Sequence, residues 1–92
     1  MDVQIKVFII GSISCMERII EATISFMDKG CIVKHVKPEP DKSLEYLIDK
    51  AFNNIKEADL IVAVEKNDGS LGEGTLYELA FAKYLNKEII LF

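Results

Sequence analysis

The sequence predicts a small α/β domain in which helices cover both faces of a doubly wound, parallel four-stranded sheet. Short apolar runs rich in β-branched residues alternate along the chain with segments whose apolar residues recur at helical spacing. Glycine, proline or polar clusters separate these segments. Half of the 92 residues are hydrophobic, which suffices for one core in a chain of this length. We therefore expect residues 1–92 to form a single domain.

The first half of the chain contains two predicted strands and one predicted helix. Residues 3–10 end in a continuous apolar run before Gly11, which is typical of a strand buried on both faces of a parallel sheet. Apolar residues then recur at helical spacing as far as Met27, and Ser14 is a candidate N-cap for this first helix. Residues 31–36 are short and β-branched, which predicts the second strand.

The second half begins with a Pro-Glu-Pro-Asp break at residues 38–41, because proline disfavours helix in the residue before it. An amphipathic helix is predicted from Ser43, followed by a strand over residues 59–65. A glycine-rich loop, a third helix and a last strand over residues 88–92 complete the chain. This alternation implies right-handed crossovers and a flavodoxin- or Rossmann-like sheet with strand order 2-1-3-4 and three helices.

Composition and charge indicate which kinds of partner and which cellular location to expect. The net charge is −4 and the eleven Lys and Arg residues are dispersed, so the chain lacks the basic footprint of a nucleic-acid polymer binder. No apolar run reaches the roughly 20 residues that span a bilayer, and no secretory leader precedes the first strand, so we expect a cytoplasmic protein. Cys15 and Cys31 are interpreted as free thiols, and we expect neither a metal nor a cofactor.

The predicted topology places a ligand site beyond the carboxyl ends of strands 1 and 3, where the strand order reverses. Gly11, Ser12 and Ile13 follow strand 1, and the loop over residues 68–74 follows strand 3. The turn at Ser12 offers backbone N–H groups and hydroxyls to an anion. A simple β-to-α turn with a serine cap is the structural alternative.

The loop after strand 3 leads into a helix that carries Glu78 about one turn from its start. There the partial positive charge of the helix start would keep the carboxylate ionised and nucleophilic. Thr75 and Glu78 also match a capping box, which needs no chemistry. A cap does not explain Gly69, Gly72 and Gly74 together, whereas close approach of a ligand to the backbone would.

Two further polar residues have structural interpretations that the pattern alone favours. His35, the single histidine, lies near the end of predicted strand 2, where a satisfied edge residue is the more common role. Asp59 opens the third strand and could bond locally to the backbone.

Three segments resemble the signature segments of the nucleoside 2-deoxyribosyltransferase-like family, which includes deoxynucleoside 5′-monophosphate N-glycosidases. They are residues 7–13 (VFIIGSI), 58–64 (ADLIVAV) and 74–82 (GTLYELAFA), in matching order across nearly the whole chain. The resemblance implies that Glu78 attacks C1′ of a 2-deoxyribosyl group and that Asp59 sits beside it to protonate the base or position the sugar. It also implies a homodimer and substrate contacts from Gly11, Ser12, Ile13, His35, Ser70, Gly72, Gly74 and Thr75.

The chain departs from the family pattern at two positions. Gly72 stands where the family usually has aspartate or serine, so Ser70, Asp68 or Glu73 would substitute. Ser14 stands where phosphate-preferring members carry arginine.

Two alternatives stay open. The departure at Gly72 leaves a nucleotide-binding or regulatory module without activity, and the Gly-Thr-x-x-Glu start of the third helix also resembles a phosphoribohydrolase of the cytokinin-activating type. The sequence leaves purine or pyrimidine, free nucleoside or monophosphate, and water or base as acceptor undecided.

Overall fold

Four parallel strands form the sheet of this protein, as described for residues 4–35 and 39–92 of a computed structural model. The spatial order is β2-β1-β3-β4, which confirms the predicted fold class and strand order. The strands are β1 (Lys6–Gly11), β2 (Ile32–His35), β3 (Leu60–Val64) and β4 (Glu88–Leu91). The helices are α1 (Met16–Asp28), α2 (Leu44–Glu57) and α3 (Glu73–Tyr84), and a 3-10 turn over Ile13–Cys15 precedes α1.

The core is divided by the sheet into two layers. Side chains alternate along β1, so that Val7 and Ile9 pack under α1 while Phe8 and Ile10 pack under α2 and α3. Every residue of β3 is buried, which is typical of a central strand in a parallel sheet. The sheet therefore presents one face to α1 and the other to α2 and α3.

The helix starts agree with the predictions at one position and differ at another. Ser43 is the N-cap of α2, where its Oγ accepts a hydrogen bond from the backbone N–H of Tyr46 at 3.2 Å. Ser14 does not cap α1, so that prediction is wrong. Instead Ser12 caps the 3-10 turn, and its Oγ accepts from the N–H of Ser14 at 3.4 Å. The 3-10 turn already supplies partners near the helix start, so α1 begins without a side-chain cap.

Some predicted boundaries fall outside the described residues. They include Val3, the start of the first predicted strand, and Val36, the end of the second. They also include Pro38, the start of the Pro-Glu-Pro-Asp break. Where the chain is described, no helix is long and apolar enough to cross a membrane. Cys15 and Cys31 are free thiols.

Two glycine positions give opposite expectations for stability. A Cβ on Gly11 would lie 3.2 Å from both Ile19 Cδ1 and Val64 Cβ, whereas a Cβ on Gly74 would meet no atom of residues 4–35 and 39–92 within 4 Å. We expect Gly11→Ala to lower the free energy of unfolding by about 1–3 kcal/mol through overpacking. Gly74→Ala, in the first turn of α3, should raise it by about 0.5–1 kcal/mol. Urea denaturation of both variants checks the pair, and a Gly11→Ala protein as stable as the wild type would contradict it.

Candidate active site

Helix α3 positions the candidate nucleophile Glu78. The helix begins at Glu73 with Gly72 as an N-cap that provides no side-chain hydrogen bond. Thr75 is therefore the third helical residue, and it is buried instead of standing outside the helix as a cap. The capping-box alternative is wrong, because a box requires the threonine to be the N-cap. Glu78 is the sixth residue of the helix and is not part of a cap.

The carboxyl group of Glu78 is partly withdrawn from water. Its Oε2 atom is buried and has no hydrogen-bond partner among the described residues. Desolvation raises the pKa of Glu78 from 4.5 to about 7. The sequence analysis expected the helix start to keep this carboxylate ionised, and that expectation is wrong. The effect of the helix dipole is confined to the first turn, and here the loss of hydration dominates.

A cavity of about 490 Å³ lies beside Glu78, between the sheet and helix α2. Phe8 of β1 and Leu47 of α2 give it apolar walls, and Asn54 of α2 contributes an amide. His35, the last residue of β2, lines the same cavity. The structure thus brings together Glu78 and His35, two of the residues singled out from the sequence. Apolar walls with a few polar groups are typical of a small-molecule site.

Helix α2 supplies cavity residues that sequence reasoning missed. Leu47, Lys50, Ala51 and Asn54 line the cavity and follow the spacing of one helical face. The amphipathic pattern assigned the apolar members of this face to the core and left the polar members to solvent. The polar residues Lys50 and Asn54 alternate with the apolar residues on this face. This was the sequence feature that could have indicated a cavity with polar groups.

Lys50 is held at the cavity by an ion pair. Its Nζ donates to Oε2 of Glu39 at 2.8 Å, and Glu39 also lines the cavity. This hydrogen bond raises the pKa of Lys50. The side chains of both residues are partly exposed, so the pair remains accessible from solvent.

Asp59 lies away from Glu78, so the expectation that the two carboxyl groups are neighbours is wrong. Asp59 is exposed and directly precedes β3. Its Oδ2 accepts a hydrogen bond from the N–H of Lys6 at 2.9 Å, and its own N–H donates to the carbonyl oxygen of Lys6 at 2.8 Å. Asp59 is not among the residues that line the cavity. In a parallel sheet the residue before a strand lies at the amino edge, opposite the loops that follow the strands.

The turn after β1 and the loop after β3 meet at the carboxyl edge of the sheet, where the topology predicted a ligand site. A Cβ on Gly72 would lie 3.4 Å from Ser12 Cβ and 3.8 Å from Lys66 Cε. Ser12 Oγ lies 2.9 Å from Ser14 Oγ. The side chain of Ile13 is exposed at the same edge. Gly11, Ser12, Ile13 and Gly72 do not line the cavity beside Glu78, so the predicted binding residues fall into two groups.

The remaining predicted binding residues have local structural roles in the glycine loop and in α3. Ser70 Oγ and the Ser70 N–H both donate to Oδ1 of Asp68, at 2.6 and 2.9 Å. These bonds lower the pKa of Asp68. Gly69 has a φ of 81°, which explains glycine there without a ligand. The surroundings of Gly74 are open, and Thr75 is buried.

The described ranges contain no group of three or more His, Cys, Asp or Glu side chains that could hold a metal ion.

Comparison with protein-family models and with curated proteins finds no match for this sequence. Among solved structures, the chain is similar to the CMP N-glycosidase BcmB of Clostridium botulinum. The identity is 27% over 94% of this chain and 69% of that one, with a TM-score of 0.68.

This chain also has the fold of a 2-deoxyribosyltransferase from Leishmania mexicana. In that comparison the identity is 20%, the coverage is 95% of this chain and 63% of that one, and the TM-score is 0.64. The chain thus shares the fold of two glycosyl-transferring enzymes and spans about two thirds of their length.

The raised pKa of Glu78 has a consequence for stability. The folded state retains a proton that the unfolded chain releases near pH 4.5, so this contribution to stability is lost as pH rises to about 7. Glu78→Gln cannot ionise, so we expect it to exceed the wild type in free energy of unfolding by up to about 3 kcal/mol at about pH 8. Near pH 4 the difference should shrink to that of an ordinary substitution.

Urea denaturation at both pH values measures this effect. Glu73→Gln, at an exposed position of the same helix, is the matched control for the loss of one carboxylate. A Glu78→Gln advantage that is the same at both pH values would contradict the burial of an ionisable group.

Proposed function

We propose that this protein cleaves or exchanges the N-glycosidic bond of 2′-deoxynucleosides or their 5′-monophosphates, with Glu78 as the nucleophile. The main observation behind the proposal is the Glu78 carboxyl group, which borders a cavity of about 490 Å³ while its Oε2 atom is buried and finds no hydrogen-bond partner in the described part of the chain. Burial of such a group costs free energy, and perturbed carboxyl groups in cavities are typical of catalytic sites. The similarity to an N-glycosidase supports the same reaction class.

The first chemical step uses the ionised form of Glu78. The carboxylate attacks C1′, the bond from C1′ to the base nitrogen breaks, and its electron pair leaves with the base. The result is a covalent glycosyl-enzyme, which divides one difficult displacement into two easier ones. Because the carboxylate is poorly hydrated, little solvent has to be removed from it before the attack.

The second step decides between two activities. Water attacks C1′ in a hydrolase, whereas a second nucleobase attacks it in a transferase. In both cases the ester bond to Glu78 breaks and the carboxylate is regenerated.

Protonation of the leaving base needs a group other than Asp59, which binds the Lys6 amide at the amino edge of the sheet. We assign this role to His35, because it lines the cavity together with Glu78. A protonated imidazole can donate its N–H proton to a base nitrogen, as a general acid does.

Substrate binding is divided between the cavity and the carboxyl edge in this proposal. The walls formed by Phe8 and Leu47 suit a flat base, and the Asn54 amide can donate to and accept from its polar edge. Ser12, with Lys66 nearby, offers donors for a 5′-phosphate at the carboxyl edge.

The proposal is tested by base release from a panel of deoxynucleosides and their monophosphates, with and without a second base, read by chromatography. We expect Glu78→Gln to lower the rate by about a thousandfold or more, because the nucleophile is removed. Asp59→Asn is the matched carboxylate control and should stay within a few-fold of the wild type. Undiminished release by Glu78→Gln would refute the mechanism. Stabilisation by these ligands without any released base would instead support the binding-module alternative.

The pH dependence provides a separate test of the role of Glu78. A nucleophile with a pKa of about 7 must lose its proton before it attacks, so kcat/KM should rise with pH through about 7 on the acid limb of the profile, and a fall at higher pH is assigned to the group that protonates the base. Initial rates of base release across this range, measured also for Asp59→Asn, give the profile. A profile without a rising acid limb near pH 7 would contradict nucleophilic attack by Glu78.

A further inference from the structure

We infer that Lys50 is a catalytic residue of the proposed reaction, in which its ammonium group stabilises the negative charge that develops on the departing base. Glu39 is the positioning residue that holds Lys50 in place. The inference deepens the proposed function and rests on it, because it names a second group that acts on the bond from C1′ to the base. It starts from the cavity of about 490 Å³ that Lys50 and Glu39 line together with Glu78.

Contacts on two sides hold Lys50 beside this cavity. Its Nζ donates to Oε2 of Glu39 at 2.8 Å, and it lies 5.9 Å from the centroid of the Tyr46 ring, one turn earlier on α2. A carboxylate and the face of an aromatic ring both attract an ammonium group. A free lysine side chain samples many rotamers, so these contacts restrict where its charge is found.

The ion pair leaves Lys50 able to bind a ligand. An ammonium group carries three N–H donors, and within the described residues the bond to Glu39 uses one of them. The side chain is 44% exposed and lines the cavity, so the remaining donors are accessible to a bound molecule. The hydrogen bond to Glu39 raises the pKa of Lys50, so the group stays positively charged at neutral pH. Lys50 thus offers a charged donor to an atom that gains negative charge.

The charges of Lys50 and Glu78 lie apart although both groups border one cavity. Desolvation raises the pKa of Glu78 without an opposing effect from a nearby cation, and the neighbours that act on the pKa of Lys50 are Glu39 and Tyr46. The two groups also lie on different helices, α2 and α3. In a displacement at C1′ the attacking oxygen and the leaving nitrogen lie on opposite sides of the carbon. A cation separated from the nucleophile across the cavity therefore suits the departing base.

The chemical step then uses Lys50 as a donor that keeps its own proton. The bond from C1′ to the base nitrogen breaks, and its electron pair spreads over the ring nitrogens and carbonyl oxygens of the base. Lys50 donates a hydrogen bond to one of these atoms, while His35 supplies the proton that the base retains. A donor aimed at charge that develops in the transition state lowers the barrier. The effect should be largest for bases that carry negative charge poorly.

Lys34 is a second cation that lines the cavity, and its surroundings differ from those of Lys50. Its Nζ is 3.7 Å from Oε2 of Glu57, and the two side chains are 62% and 67% exposed. Glu57 is the last residue of α2, which places this pair towards the amino edge of the sheet. Such an exposed pair is weakly ordered. Lys34 therefore provides a control for the loss of a positive charge near the cavity.

The experiment compares kcat/KM for base release from two substrates that differ only in the leaving base. The pair is deoxyuridine and 5-fluorodeoxyuridine, or deoxyadenosine and 2-fluorodeoxyadenosine if the wild type prefers purines. Fluorine withdraws electrons, so the fluorinated base carries negative charge more easily. Lys50→Met should lower kcat/KM for the unfluorinated substrate by about ten- to a hundredfold, the effect of losing a hydrogen bond to a charged group. For the fluorinated substrate the loss should be smaller by about threefold or more.

Two control variants separate this role from a structural one. Lys34→Met should not change the ratio of the two rates, because its charge lies away from the departing base. Lys50→Arg keeps the charge and should preserve that ratio. The Lys50 side chain is 44% exposed, and partly exposed ion pairs contribute little to stability, so Lys50→Met should fold. Circular dichroism and a melting curve verify this.

The role of Glu39 is tested by a double-mutant cycle. Glu39→Ala should show the same dependence on the leaving base with a smaller loss, because Lys50 is then less well positioned. The double variant of Glu39→Ala and Lys50→Met should be no slower than Lys50→Met alone, since Glu39 acts through Lys50. Losses that multiply in the double variant would overturn the positioning role.

The outcomes distinguish this inference from the proposed function. Equal losses on both substrates for Lys50→Met, or no loss on either, would overturn the inference, while base release that depends on Glu78 would still support the proposed function. A wild type that releases no base from any substrate would overturn both.

Discussion

The rotation of α3 about its own axis is the constraint on which the rest of the site depends. Leu79 and Ala82 are buried against the sheet, and this packing fixes which side of the helix faces inward. Successive residues of a helix point in directions about 100° apart, so Glu78 must then lie beside the inward side, towards α2 and the cavity. The same rotation turns Ala80 outward. One packing contact therefore determines both where the carboxyl group points and which surface remains exposed.

Lys50 and Glu78 line one cavity, and they differ in whether the side chain has a partner. Lys50 lines the same cavity as Glu78, but its ammonium group is bonded to Glu39 at 2.8 Å. A cation that moved close to Glu78 would lower the pKa of that carboxyl group and offset its desolvation. Lys50 is paired with Glu39, whereas Glu78 has a pKa raised by desolvation and an Oε2 atom without a partner among the described residues. Such a group destabilises the fold and is suited to chemistry.

Much of the fold could be predicted from the sequence because the strand and helix patterns agreed with the global topology. Alternating strands and helices gave the parallel sheet and its order, and the order predicted that the turn at Ser12 and the loop at Gly72 would meet. The position of Asp59 was also implied by this topology, since it precedes β3. The resemblance placed Asp59 beside Glu78 instead, and on this point the topology was the better guide.

The features that could not be predicted depend on contacts between distant parts of the chain. The start of α3 was misjudged because Thr75 matches a cap by composition, whereas the helix begins earlier, at Glu73, after a loop that lies close to Ser12. The balance between helix dipole and desolvation at Glu78 depends on how much water the neighbouring elements exclude, which periodicity does not report. The polar lining from α2 was missed for a related reason. An amphipathic pattern separates core from solvent, but a cavity is a third environment in which apolar walls and polar groups occur together on one helical face.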